Sequence, residues 1–218
     1  MTVCRLLAVS SATPMDARRY LDAFARLCRE SREYQGHGWG CAVWREGRWD
    51  AYATLRPVWE DDFEPAGEVR ALLAHARSAF RDEGIAVENN MPFVSGGRAF
   101  AFNGELRGVR LAMEGRTGAE KLFRYINLRD DVDLDGSIAR AMEVVRRRTA
   151  RIRACNFILA EPGRFHVHSL FDGEEDYFTL SCRESAGELA ICSQPFPGED
   201  GRWSPLPNGC QRAFPWLS

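Results

Sequence analysis

Apolar and polar positions divide this chain into short runs of strand character and longer stretches with helical spacing. Val3 to Ser10, interrupted by one arginine, reads as a strand. From Met15 to about Arg32, the residues Tyr20, Leu21, Phe24, Leu27 and Cys28 recur at helical spacing and mark a core-packing face. Ser11, Ala12, Thr13 and Pro14 form the expected lead-in to that helix. The loop Gln35-Gly36-His37-Gly38-Trp39-Gly40 precedes a predicted hairpin, with Cys41 to Trp44 and Trp49 to Leu55 flanking a polar turn at residues 45–48. Residues 57–68 are a polar connection, and Val69 to Ala76 is a buried strand ending in His75-Ala76-Arg77.

Arg81 to Gly97 reads as loop, and Arg98 to Phe102 as a strand that stops at Asn103-Gly104. Thr117-Gly118-Ala119-Glu120 is a capping box, with Thr117 at the N-cap and Glu120 reaching back. The helix it opens runs to about Asn127, and a second spans about Leu134 to Arg148. The rest alternates strands and turns: Asn156 to Ala160, Arg164 to Phe171, Tyr177 to Arg183 and Glu188 to Ser193, with short edge strands at 203–206 and 211–214. Strands, a helix pair and more strands predict a layered α+β domain. With 218 residues, no repeats and no low-complexity linker, residues 1–218 are expected to form one domain.

Composition narrows the class. A formal charge of -2 gives no electrostatic case for nucleic acid or an anionic membrane as a partner. No run suits a membrane span or a secretion signal, so a cytoplasmic location is expected. Seven cysteines without Cys-x-x-Cys spacing fit neither a disulfide framework nor a zinc knuckle. They are expected to be reduced and mostly buried, with one left for chemistry. Lys121 is the only lysine, a bias of GC-rich coding in which a valine codon often initiates translation. Initiation at Val3 followed by methionine removal, or processing after Val3, would make Cys4 the first residue. Its thiol would then sit beside its own α-amine, which titrates near roughly 8 and serves as a base.

Other positions admit two readings each. Arg77, at a strand end, is either a salt-bridge partner or a fork for a substrate carboxylate, and His75 reads as a structural histidine. Asn103-Gly104 is either a tight turn or an oxyanion hole made of a side-chain amide and a backbone N–H. His166 and His168 share one strand face, a spacing compatible with a metal, but with no third ligand in view they are expected to be exposed. Arg146, Arg147, Arg148, Arg151 and Arg153 form a basic helix end expected to be solvated or to receive a partner.

Taken together, these segments resemble the class II glutamine amidotransferases, members of the N-terminal nucleophile (Ntn) hydrolases, and most of all the stand-alone glutaminase-type proteins that begin Met-Cys-Arg-Leu-Leu. Cys4-Arg5-Leu6-Leu7 is similar to that opening, and Gly36-His37-Gly38-Trp39-Gly40 to the family's Gly-Asp-Gly-Trp-Gly. Ala74-His75-Ala76-Arg77 resembles its His-x-Arg strand end, and Asn89 to Phe93 its Asn-Thr-His-Pro-Phe. Phe102 to Leu106 resembles His-Asn-Gly-Glu-Ile, and Thr117 to Glu120 resembles Thr-Asp-Ser-Glu. Ser193 to Phe196 and Trp203 to Pro207 are similar to its final strands.

The resemblance implies a four-layer αββα sandwich of two mainly antiparallel sheets. It implies a cysteine nucleophile at Cys4, an oxyanion hole at Asn103 and Gly104, and carboxylate binding by Arg77. The reaction would be hydrolysis of glutamine or a related γ-glutamyl amide through a thioester, releasing ammonia or an amine, with no cofactor and no metal. A glutamine-like small molecule is the expected substrate, and an ammonia-accepting synthase the possible protein partner. The chain departs from the family pattern at Gly118, where an ammonium-binding aspartate stands, and at Phe80, where a threonine does. His37, Met91 and Phe102 replace Asp, His and His. Those departures leave open cleavage of a different amide with no charged α-amine, and a catalytically silent homologue that binds a ligand or partner.

Overall fold

The computed structural model describes residues 3–65, 67–79, 83–128, 133–185, 187–198 and 203–217. Two antiparallel sheets dominate it. The first contains β1 (Arg5–Met15), β2 (Trp39–Arg45), β3 (Arg48–Thr54), β4 (Val69–Ala76), β9 (Ser181–Ser185), β10 (Glu188–Cys192) and β11 (Ser204–Pro205), in the order β11-β9-β10-β1-β4-β2-β3. The second contains β5 (Phe93–Ser95), β6 (Arg98–Arg107), β7 (Arg151–Glu161), β8 (Arg164–His168) and β12 (Gln211–Pro215), in the order β12-β8-β7-β6-β5.

Strand alternation sorts the side chains into layers. Leu6 and Ala8 of β1, Ala71 and Leu73 of β4 and Ala42 of β2 face the second sheet and join its apolar residues in one core. The opposite face of the first sheet, including Leu7, Val9, Leu72 and Val43, is covered by Tyr20, Phe24 and Leu27 of helix α1 (Ala17–Arg29). Each such large side chain removed from water contributes about 1.5–3 kcal/mol. Beyond the second sheet lie α2 (Gly118–Asn127) and α3 (Leu134–Arg148). Phe100 of β6 stacks on Phe123 of α2 at 5.1 Å, and the Cys155 thiol of β7 meets the Met142 sulfur of α3 at 3.9 Å. The layers are therefore helix, sheet, sheet and helix pair, the α+β four-layer arrangement expected.

Local boundaries differ from the sequence reading where a capping or packing choice decides them. β1 continues through Pro14 to Met15, and α1 is capped by Asp16, whose carboxylate accepts from the Arg18 N–H at 2.9 Å. The capping box of α2 is half formed: Thr117 Oγ1 accepts from the Glu120 N–H at 3.1 Å, while the Glu120 carboxylate accepts from the Arg116 N–H at 2.8 Å. Tyr177 and Phe178, expected in a strand, belong to the helical turn α4 (Glu175–Phe178).

His166 and His168 are buried rather than exposed. His166 bridges Asp135 at 2.7 Å and Glu161 at 2.9 Å, and His168 reaches the Cys155 carbonyl at 2.9 Å. Among the described residues no cluster of ligating side chains could hold a metal ion, and no helix is long and apolar enough to cross a membrane. Arg153 is not a solvated end-charge either. It is buried against Glu174 at 2.6 Å, with its guanidinium over the Phe178 ring. All seven cysteines are free thiols, five of them buried.

Candidate active site

Cys4 immediately precedes β1, and alternation puts its side chain on the same face as Leu6, towards the second sheet. β4 runs antiparallel beside it, with Arg5 opposite Ala76 and Leu6 opposite His75. Continuing that register by one residue brings Arg77 beside Cys4. The Gly36–Gly40 loop holds Arg77 in place: its N–H donates to the Gly38 carbonyl at 2.9 Å, and its carbonyl accepts from the His37 N–H at 3.1 Å. Gly38 has φ 103, and a Cβ there would lie 2.2 Å from Asn90 Nδ2 and 2.5 Å from the Thr54 carbonyl oxygen. Only glycine satisfies both demands. Asn90 then accepts from the Arg77 guanidinium at 3.3 Å.

Cys4, His75, Arg77, Gly104 and Gly118 line one cleft of about 300 Å³. Met91 and Phe102, at two of the positions that depart from the family pattern, line it too and are bonded to each other, the Phe102 N–H donating to the Met91 sulfur at 3.3 Å. His37 lies behind the cleft, its Nδ1 accepting from the Ala79 N–H at 2.9 Å. Phe80 lies outside the described residues.

Electrostatics follow from burial. Burial pushes the Cys4 thiol up from the usual range, while a backbone hydrogen bond at Ser78 and the nearby Arg77 charge pull the other way. The thiol sulfur itself lies 3.8 Å from the Ser78 carbonyl oxygen, to which it donates. Burial, helped by the Arg77 charge, lowers His75 to about 3. The ring is therefore neutral at physiological pH; the Phe102 backbone pulls weakly the other way, although neither nitrogen makes a well-formed hydrogen bond. Burial also lowers Arg77 from the ordinary guanidinium value.

Asn103 and Gly104 do not make a turn. β6 continues through them to Arg107, with Asn103 opposite Asn156 and Gly104 opposite Cys155 of β7 and a register shift only after Glu105. A Cβ on Gly104 would come within 2.1 Å of the Ala154 carbonyl oxygen, which explains the glycine by close approach of two backbones. The Cys155 N–H donates to the Leu170 carbonyl at 2.7 Å, away from β6. In an antiparallel pair, Gly104 then turns its own N–H away from β7. On that side β5 covers only Arg98 to Phe100, so the Gly104 edge is open to the cleft.

Asn103 alternates to the opposite, inter-sheet face, where β6 packs across from β1 and β4. Its side chain is fully buried, yet neither its oxygen nor its nitrogen has a partner. Its cross-strand neighbour Asn156 is satisfied at both ends, donating to the Phe178 carbonyl at 2.7 Å and accepting from the Leu170 N–H at 3.0 Å.

Two residues that the sequence did not mark as functional act on the segment before Cys4. Val3 is buried, and its carbonyl accepts from Gln35 Nε2 at 2.8 Å and from the Tyr177 hydroxyl at 3.2 Å. In this chain the Cys4 nitrogen is thus a peptide amide. Gln35 stood at the edge of the glycine-rich loop, but nothing in the sequence signals a bond to residue 3 from 32 positions away.

The fold is shared with solved structures of low sequence identity. A glutamine aminotransferase class-II domain protein from Silicibacter pomeroyi aligns over 99% of this chain and 100% of its own, at 15% identity and TM-score 0.63. A predicted glutamine amidotransferase from Pseudomonas aeruginosa PA01 aligns over 100% and 97%, at 14% identity and TM-score 0.57. The glutamine phosphoribosylpyrophosphate amidotransferase of B. subtilis aligns over 87% of this chain at 15% identity and TM-score 0.62, and this chain spans 42% of that one. The sequence matches no family model and no curated protein.

Proposed function

We propose that this chain, sharing its fold with glutamine amidotransferases, is an amide hydrolase of the class II glutamine amidotransferase type with Cys4 as nucleophile. The observation that carries this reading is Asn103: a buried amide with no protein partner, on the sheet face opposite β1 and next to a glycine N–H at an open edge. Leaving such a group unsatisfied costs about 1–3 kcal/mol, a cost offset if it serves a bound substrate.

Removal of residues 1–3 would free the Cys4 α-amine. The amine takes the thiol proton as the sulfur attacks the amide carbon. The Asn103 amide and the Gly104 N–H receive the negative oxygen. Collapse breaks the C–N bond, the amine's proton passes to the departing nitrogen, and ammonia or an amine leaves. Water then hydrolyses the thioester to a carboxylate and restores the thiol. Arg77 holds the substrate carboxylate. An ammonia-accepting synthase is the partner such a release would serve.

A second reading has its own support. Val3 is packed against Ala154, Phe171, Tyr177 and Phe178 with its carbonyl doubly bonded, an arrangement that suits a chain retaining Val3 and therefore a silent, ligand-binding homologue.

Intact mass of the natively expressed protein, with ammonia release from an amide panel, separates the two. Cys4 at the mature terminus and loss of release in Cys4→Ala support the hydrolase. Asn103→Leu is expected to lower kcat by about 100–1000-fold, with thermal stability held or raised. Undiminished turnover in either variant refutes the mechanism.

A further inference from the structure

The polar groups lining the cleft are unevenly matched in charge. Among the described residues, Arg77 has no carboxylate partner, its one side-chain hydrogen bond going to the neutral Asn90. Of the described residues, the one carboxylate lining the cleft, Glu105, is already engaged by Arg107 at 2.5 Å and Arg153 at 3.8 Å. At the far wall stand Thr117, Gly118 and Ala119, the first turn of α2. Thr117 Oγ1 takes the Glu120 N–H. The N–H groups of Gly118 and Ala119 have no intrahelical acceptor, and the helix dipole adds partial positive charge there. His75, fully buried with neither ring nitrogen in a well-formed hydrogen bond and only the Phe102 backbone opposing its burial, lines the same space.

From this we infer that the cleft selects amides whose α-substituent is an uncharged hydrogen-bond acceptor, an N-acyl or 2-oxo group, rather than an α-ammonium. The inference rests on the hydrolase reading for the position of the scissile amide. Arg77 takes the α-carboxylate, and the acceptor oxygen meets the Gly118–Ala119 N–H groups and His75. An ammonium in that position would face donors and partial positive charge, with no free carboxylate among the described residues to receive it. Gly118 has open space at its Cβ position, with nothing within 4 Å, so an introduced side chain fits.

The test compares L-glutamine, N-acetyl-L-glutamine, 2-oxoglutaramate and glutaramate by kcat/KM for ammonia release in the mature enzyme, and by calorimetric binding to Cys4→Ala. At least a tenfold preference for the N-acetyl or 2-oxo amide over glutamine is expected in both readouts. The N-acetyl arm winning identifies capped or peptide-linked glutamine, and the 2-oxo arm a keto-acid monoamide. Gly118→Asp, a favourable substitution in a first helical turn, should lower the preference by tenfold or more. Glutamine equal or superior in the parent, an unchanged preference in Gly118→Asp, or binding of none of the four overturns the inference. Ammonia release that favours glutamine leaves the hydrolase reading standing, whereas the expected order of binding without any release removes the hydrolase and keeps the selectivity.

Discussion

The side-chain amide of Gln35 donates to the carbonyl oxygen of Val3 at 2.8 Å, with Gln35 and Val3 both shut away from solvent. The Tyr177 hydroxyl adds a second bond, and its ring lies beneath the guanidinium groups of Arg5 at 4.2 Å and Arg32 at 4.5 Å. The segment leading into Cys4 is thereby fixed before β1 begins. Gln35→Ala is expected to cost about 1–2 kcal/mol, read as a lower urea midpoint at unchanged slope, with faster amide exchange over residues 3–7. An unmoved midpoint would mean the bond merely replaces one to water.

Gly104 is a packing glycine whatever else it does. The Cβ of an alanine would lie 2.1 Å from the Ala154 carbonyl oxygen and 2.6 Å from its carbon, both backbone atoms that cannot rotate aside. Gly104→Ala should therefore destabilise the protein by about 3 kcal/mol, the upper end for overpacking. Equilibrium denaturation measures it, and a loss under 1 kcal/mol would show that β6 and β7 separate easily.

His75 makes stability depend on pH. Its pKa falls from 6.5 to about 3 on folding because burial disfavours the charged ring. Between those values the unfolded chain binds the proton and the folded chain does not, so stability rises with pH across the window. The contribution is complete above 6.5 and is lost as pH drops towards 3. His75→Gln should lose less stability than the parent on acidification from pH 6.5 to 4, by up to about 1.4 kcal/mol per pH unit. Parallel profiles from urea unfolding would contradict this.

What the sequence revealed depended on how local the determining interactions are. The stripe of Tyr20, Leu21, Phe24, Leu27 and Cys28 and the Thr117 cap are settled within a few residues, and both helices form around them, though α1 spans Ala17–Arg29 rather than Met15 to Arg32. α3 matches its predicted bounds of Leu134 and Arg148. Asn103-Gly104 looked like a strand end because a local rule assigns that pair to turns, yet pairing with β7 continues past it and carries β6 onward. His166 was expected outside because its carboxylate partners, Asp135 and Glu161, are 31 and 5 residues away. Tyr177 and Phe178 have strand propensity but bury their rings from a helical turn against Val3. In the site, Cys4, His75, Arg77, Gly104 and Gly118 were all identified from the sequence and share the cleft. Gln35 and Tyr177 were not, since tertiary bonds to a backbone carbonyl leave no pattern in the residues that make them.

β1 lies between β4 and β10, so its neighbours come from residues 69–76 and 188–192. In order of synthesis β1 therefore keeps one edge unpaired until residues 188–192 have been made, and pairing across such separations is slow. The proposed nucleophile, at the head of β1, is made before Arg77 and Gly104, and its strand gains its second neighbour only with β10. An unfinished chain carries a cysteine but no built cleft, so reactivity is coupled to completion of the sandwich.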